Sequence, residues 1–192
     1  MQYKNSPPIL DGFTLDLATS EILAIVGRNG TGKSTLIGVL AGLVPTYTGS
    51  ITFSGSPWDL KALEQTAFVF DHSHFPSFLK ARQILRLFAS AFKNGSETKI
   101  DDCLKLCSLD GVDKSFRHFS KGMRQSLAIA VALLKSPRLL IADEGFSSLD
   151  PEARERVFAH LKSLVRDKNV SVLFTTHSEE DCRQLADRNL RL

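Results

Sequence analysis

The chain has 192 residues, 43% of them hydrophobic and 23% charged, with a formal net charge of +3. That length supports one domain folding around its own apolar core, and so weak a charge gives no nucleic-acid footprint. Cys103, Cys107 and Cys182 have no paired CxxC spacing. They argue against a disulfide framework or a zinc site and fit a reducing cytoplasm.

The longest uncharged apolar stretch, Leu127 to Leu134, is far shorter than the ~20 residues a membrane-spanning helix needs. The opening MQYKNSPPIL lacks the apolar core of a signal peptide. Any membrane role must therefore come through a partner.

Five short apolar runs read as buried strands: Ile22–Val26, Ile51–Phe53, Ala67–Phe70, Leu139–Ala142 and Val170–Phe174. Helical patterns follow at about Lys33–Ala41, Ala81–Phe92, Lys99–Cys107, Gly122–Leu134 and Pro151–Arg166. Pro151 suits a first helical turn, where its missing N–H has no partner anyway. The alternation predicts an α/β fold with a mostly parallel sheet flanked by helices. The stretch of about 75–120 carries helices and no strand. It is predicted to be an all-helical subdomain inserted into a single domain spanning residues 1–192.

Gly27-Arg28-Asn29-Gly30-Thr31-Gly32-Lys33-Ser34 matches GxxxxGK[ST], after a strand and before a helix. Gly27, Gly30 and Gly32 let successive backbone N–H groups turn inward around phosphate oxygens. The helix terminus that follows, with Thr35 in its first turn, adds partial positive charge. Lys33 is expected to reach the β- and γ-phosphates of ATP, and the Ser34 hydroxyl to ligate Mg2+.

Leu139–Ala142 runs into Asp143 and Glu144. A carboxylate ending a buried strand can hold the same Mg2+, which suits Asp143. Glu144 is then placed to orient or deprotonate the attacking water.

With these motifs in place the chain resembles the ATP-binding-cassette (ABC) family over nearly its whole length. Phe119-Ser120-Lys121-Gly122-Met123-Arg124-Gln125 is similar to the family signature in an SKGM form. Ser147-Ser148-Leu149-Asp150-Pro151 is similar to the D-loop, and His177, ending the strand through Thr176, to the switch histidine that senses the γ-phosphate. Tyr3 stands about where the family stacks an aromatic on adenine. The resemblance implies a P-loop NTPase core with a small antiparallel β portion. It also implies a head-to-tail dimer with a second ABC ATPase domain, identical or different. There Ser120, Lys121, Gly122 and Met123 of one domain face the γ-phosphate held by the other.

Several positions depart from the family pattern. Asp71, followed by His72, stands where a Gln normally connects Mg2+ to the helical subdomain; an Asp remains a hard oxygen donor able to ligate the ion or its waters. Gly145 replaces a Pro, Lys121 and Met123 replace Gly and Gln, and Val131 replaces an Arg. The pair His72 and His74 invites a metal reading, but a loop accounts for it better. The ends are also short: the family places a strand before the Tyr3 region, and a strand and tail after Asp187-Arg188.

The function expected from this resemblance is ATP hydrolysis energising transport through a separate membrane permease, on the cytoplasmic face. The SKGM form leans towards export. A soluble ABC ATPase outside transport predicts a long coiled-coil insertion, fused cassettes or a basic tract, and the sequence has none. A regulatory module with weak hydrolysis is favoured by Asp71 and the altered signature and opposed by Glu144 and His177. Asp167-Lys168-Asn169 does not form the guanine-reading NKxD pattern. Phe75-Pro76-Ser77-Phe78-Leu79 is expected to offer the permease a docking surface.

Overall fold

The computed structural model describes residues 10–45, 47–92 and 96–192. Its main sheet has five parallel strands in the order β4-β5-β6-β1-β7. These are β1 (Ile22–Val26), β4 (Thr66–Phe70), β5 (Leu139–Asp143), β6 (Ser171–Thr176) and β7 (Arg188–Arg191). A separate antiparallel pair joins β2 (Thr52–Phe53) to β3 (Ser56–Pro57). Helices α1 (Lys33–Leu40), α2 (Leu60–Glu64), α3 (Ala81–Phe92), α4 (Glu97–Leu106), α5 (Lys121–Leu134), α6 (Pro151–Lys168) and α7 (Glu179–Leu185) connect the strands.

Side chains along a strand alternate between its faces, and both faces of this sheet are covered. Ile22, Ala24, Leu140, Ala142, Val172 and Phe174 join one large core with α3, α4, α5 and α6. Leu23, Ile25, Leu139, Ile141 and Leu173 face the other side, against Ile37 of α1. The β2–β3 hairpin rests on that second side, where Trp58 Nε1 donates to Leu40 O at 2.9 Å and meets the Phe53 ring edge-on.

Between β4 and β5 the described residues form α3, α4, a 3-10 turn at Phe116–His118 and α5, with one isolated bridge from Lys80 to Ser115. The helix starts are legible in chemical terms. Ser96, Ser120, Asp150 and Ser178 each accept a backbone N–H from three residues on.

Three strands differ from the sequence reading, which also placed no helix at α2 or α7. The run Ile51–Phe53 is not a buried strand of the main sheet. It is a two-residue arm of the hairpin with Thr52 exposed, because Ser54 and Gly55 both take positive φ and turn the chain at once. The strand predicted at Val170–Phe174 runs instead from Ser171 to Thr176, since ladder bonds, not side-chain polarity, decide where pairing stops. After Asp187, where the sequence reading placed no strand of this chain, β7 forms a polar edge strand paired with β1.

Candidate functional site

The carboxyl ends of β4, β5, β6 and β1 lie side by side, with Phe70 in register with Asp143, Asp143 with Thr175, and Thr176 with Val26. The residues one step further on, or on these ends themselves, include Asp71, Asp143, Glu144, His177 and Gly27. Ligands of open α/β sheets bind at this edge.

The loop from Gly27 to Gly32 leaves β1 and enters α1. Gly30 and Gly32 hold φ of 86° and 101°, the left-handed region that side chains resist. A Cβ on Gly27 would stand 2.6 Å from Thr31 Oγ1 and 2.9 Å from Leu192 O. Thr31 closes the turn, its N–H and hydroxyl both donating to Arg28 O. Arg28, Asn29, Gly30 and Ser34 are exposed at the rim, Thr35 is half-buried, and Gly32 is buried. Lys33 is only 5% exposed, and its Nζ donates to Gly27 O at 2.6 Å and Arg28 O at 3.0 Å. The loop's own carbonyls thus fold the ammonium over the cradle.

Glu144 sits between two groups that the sequence places far apart. Its Oε1 lies 3.9 Å from Lys33 Nζ and its Oε2 lies 3.4 Å from His177 Nδ1. The backbone that aims it is strained, with φ of 49°. Glu144 N donates to Thr175 Oγ1 at 2.9 Å, and Ser147 Oγ donates to Glu144 O at 3.0 Å, which hold the turn. The Thr175 hydroxyl also donates to Asp143 Oδ1 at 2.7 Å. One threonine therefore fixes both acids. It was missed in the sequence; its signal was a polar residue closing an otherwise apolar strand.

Ser120 caps α5, its Oγ accepting from Met123 N at 3.2 Å. Lys121 Nζ reaches Asp71 Oδ1 at 3.1 Å, an ion pair without hydrogen-bond geometry. His72 Nε2 lies 3.3 Å from the other Asp71 oxygen. Among the described residues no three His, Cys, Asp or Glu side chains gather into a metal cluster. Gly122 packs on the backbone of Ser148, and buried Gln125 donates to Gly145 O at 2.7 Å, so the signature helix leans on the loop after Glu144. Asp150 caps α6 by accepting from Ala153 N. Among the described residues no hydrogen bond or ion pair links Ser120, Lys121, Gly122, Met123 or Asp150 to residues 27–35. Tyr3 lies outside the described residues.

These residues fit a nucleotide triphosphate with its metal. Gly27 leaves room where a Cβ would collide, Gly30 and Gly32 take the left-handed turn, α1 starts directly after it at Lys33, and Ser34 and Asp143 offer hard oxygens.

The fold and this cradle define an ABC-type P-loop domain, and the chain belongs to the ABC transporter family, whose model matches residues 10–147. It is 34% identical over 187 residues to YdbJ of Bacillus subtilis strain 168, an uncharacterized ABC transporter ATP-binding protein. That match covers 95% of this chain and 61% of the relative. It is 33% identical to a sulfate/thiosulfate import ATP-binding protein CysA of Bacillus cereus, over 91% of this chain and 52% of that one. The chain thus spans little more than half the length of these curated relatives. A solved ATP-binding subunit of an ABC transporter superposes with a TM-score of 0.84 at 30% identity, covering 96% of this chain and 79% of that one. A dimeric ATP-binding cassette, bound to ADP and Pi in a post-hydrolysis state, shares the fold with a TM-score of 0.82 at 22% identity. It covers 96% of this chain and 86% of that one.

Among the described residues no helix is long and apolar enough to cross a membrane.

Proposed function

We propose that this chain binds and hydrolyses ATP as one half of a nucleotide-sandwich dimer and energises transport through a separate membrane permease at the cytoplasmic face. The observation that carries it is the placement of the Glu144 carboxylate between Lys33 and His177. Backbone amides of residues 27–33 wrap the phosphates, and Lys33 turns from the loop carbonyls to the β/γ-oxygens. Ser34 and Asp143, with Asp71 beside them, would hold Mg2+, which would neutralise charge on those oxygens. Glu144 orients the attacking water and takes its proton, and His177 holds Glu144 and the γ-phosphate in one geometry.

A lone cradle leaves one side of the triphosphate wet. Among the described residues, Ser120 and Gly122 head a long helix with no bond to their own chain's cradle, which supports their use on the partner's nucleotide, with Asp150 at the same interface. Residues 75–120 act as the inserted helical subdomain, and the exposed Phe78 supports its docking on a permease helix. The SKGM signature favours export. Relatives named as sulfate/thiosulfate import proteins favour import as a second reading.

Light scattering tests the sandwich. Glu144→Gln with ATP and Mg2+ should run as a dimer at tens of micromolar, while the wild type with ADP stays monomeric. Monomers under both conditions would contradict it. ATP-driven uptake into inside-out vesicles carrying the permease supports export, and uptake into right-side-out vesicles supports import.

A further inference from the structure

Arg154 and Asp181 lie outside every motif that marks the nucleotide site. Asp181 is 2% exposed, and a carboxylate so far from water is costly unless its oxygens are bonded. Both are. Arg154 Nη1 donates to Oδ1 at 2.9 Å, and Thr176 Oγ1 donates to Oδ2 at 3.3 Å.

The partners of this carboxylate bracket one residue. Thr176 Oγ1 also accepts the N–H of Ser178 at 2.9 Å, and Ser178 Oγ accepts the N–H of Asp181 at 3.2 Å. His177 is the residue between them. On the other side, Arg154 stands four residues after Asp150 and donates its N–H to Asp150 O at 2.9 Å. Apolar packing could join α6 to α7 at lower cost, because a buried pair is often matched in stability by hydrophobic residues. Directional bonds do what such packing does not: they fix angles.

We propose that Asp181, through Arg154, is a positioning residue that locks the His177 turn and the Asp150 turn into one rigid unit. It touches no reacting atom. It keeps His177 on the Glu144 carboxylate and sets the α6 terminus against that geometry. The inference rests on the role proposed above for His177 and Glu144.

The test is steady-state ATP hydrolysis by Asp181→Asn, which keeps shape and loses charge, well below its own unfolding midpoint. The expected result is a kcat lower by about ten- to hundred-fold, the scale of a small misplacement, with KM for ATP nearly unchanged. Arg154→Lys keeps the charge with fewer donors and should fold with an intermediate kcat. The double variant should be no slower than the slower single one, since both act through one bond network. A kcat for Asp181→Asn equal to wild type with a lowered melting temperature would mean packing alone and overturn the proposal, as would losses that multiply in the double variant. Wild-type chain without ATP turnover overturns the parent reading together with this one. Turnover with unaffected variants overturns this one alone.

Discussion

Lys33 Nζ and Glu144 Oε1 lie 3.9 Å apart, although 111 positions of sequence separate them. The ammonium is buried and held by two loop carbonyls, so it stands ready at the mouth of the cradle. Lys33→Ala removes the main side-chain charge facing the β/γ-phosphates. ATP affinity measured by calorimetry should fall at least about ten-fold, the scale of one lost charge-assisted bond. Near-normal affinity would refute the cradle.

Gly122 sets two effects against each other. An Ala there gains up to ~1 kcal/mol of helix propensity. Its Cβ would also stand 2.6 Å from Ser148 O, a backbone atom that cannot swing aside. Overpacking of that kind costs about 1–3 kcal/mol, so the collision should win. Urea unfolding of Gly122→Ala should show a lower midpoint with an unchanged slope; a higher midpoint would mean that the Ser148 loop yields freely.

Glu21 ties the start of β1 to β7. Arg188 Nε donates to its Oε1 at 2.7 Å, and Ala18 N donates to Oε2 at 2.7 Å. The Arg188 hydrogen bond holds the carboxyl below its ordinary value. An acid lowered on folding stabilises the fold above its unfolded value, about 4.3, and loses that contribution as pH falls through the lower folded value. Glu21→Gln should therefore be less stable than wild type at pH 7, with the gap closing as pH falls below about 4.3. A gap independent of pH would contradict the linkage.

Phe75 and Phe78 are close in sequence, yet Phe75 is half-buried against the core and Phe78 is exposed. Phe75 meets Phe88 and Phe116 edge-on at 5.7 and 5.5 Å, whereas Phe78 is 72% exposed. Phe78→Asp should fold, keep its near-UV signal and bind ATP, yet lose co-purification with the proposed permease. Phe75→Asp should lose the fold. Retained co-purification by Phe78→Asp would sink the docking role of that residue.

What the sequence made legible follows from local chemistry. The cradle is contiguous, so Gly27 to Ser34 could be read directly, and the apolar runs of β1, β4 and β5 stand out because both sheet faces are covered. Edge strand β7 reads Arg-Asn-Leu-Arg and carries no apolar period, so only its pairing with β1 reveals it. Phe75 to Leu79 reads as one aromatic patch, and only packing separates the half-buried Phe75 ring from the exposed Phe78 ring. The Thr175 bridge and the Arg154–Asp181 pair are long-range polar contacts. A polar strand end marks Thr175, but no local pattern names the partners in either contact, because strand register and helix packing set them.

The central claim is that Glu144 works on the attacking water. Single-turnover hydrolysis by wild type and Glu144→Gln, with ATP affinity measured on both, tests it most directly. The predicted result is a rate lower by about 10²–10⁴-fold, the usual share of a general base, with ATP binding intact. A Glu144→Gln chain that hydrolyses ATP at the wild-type rate would contradict the account.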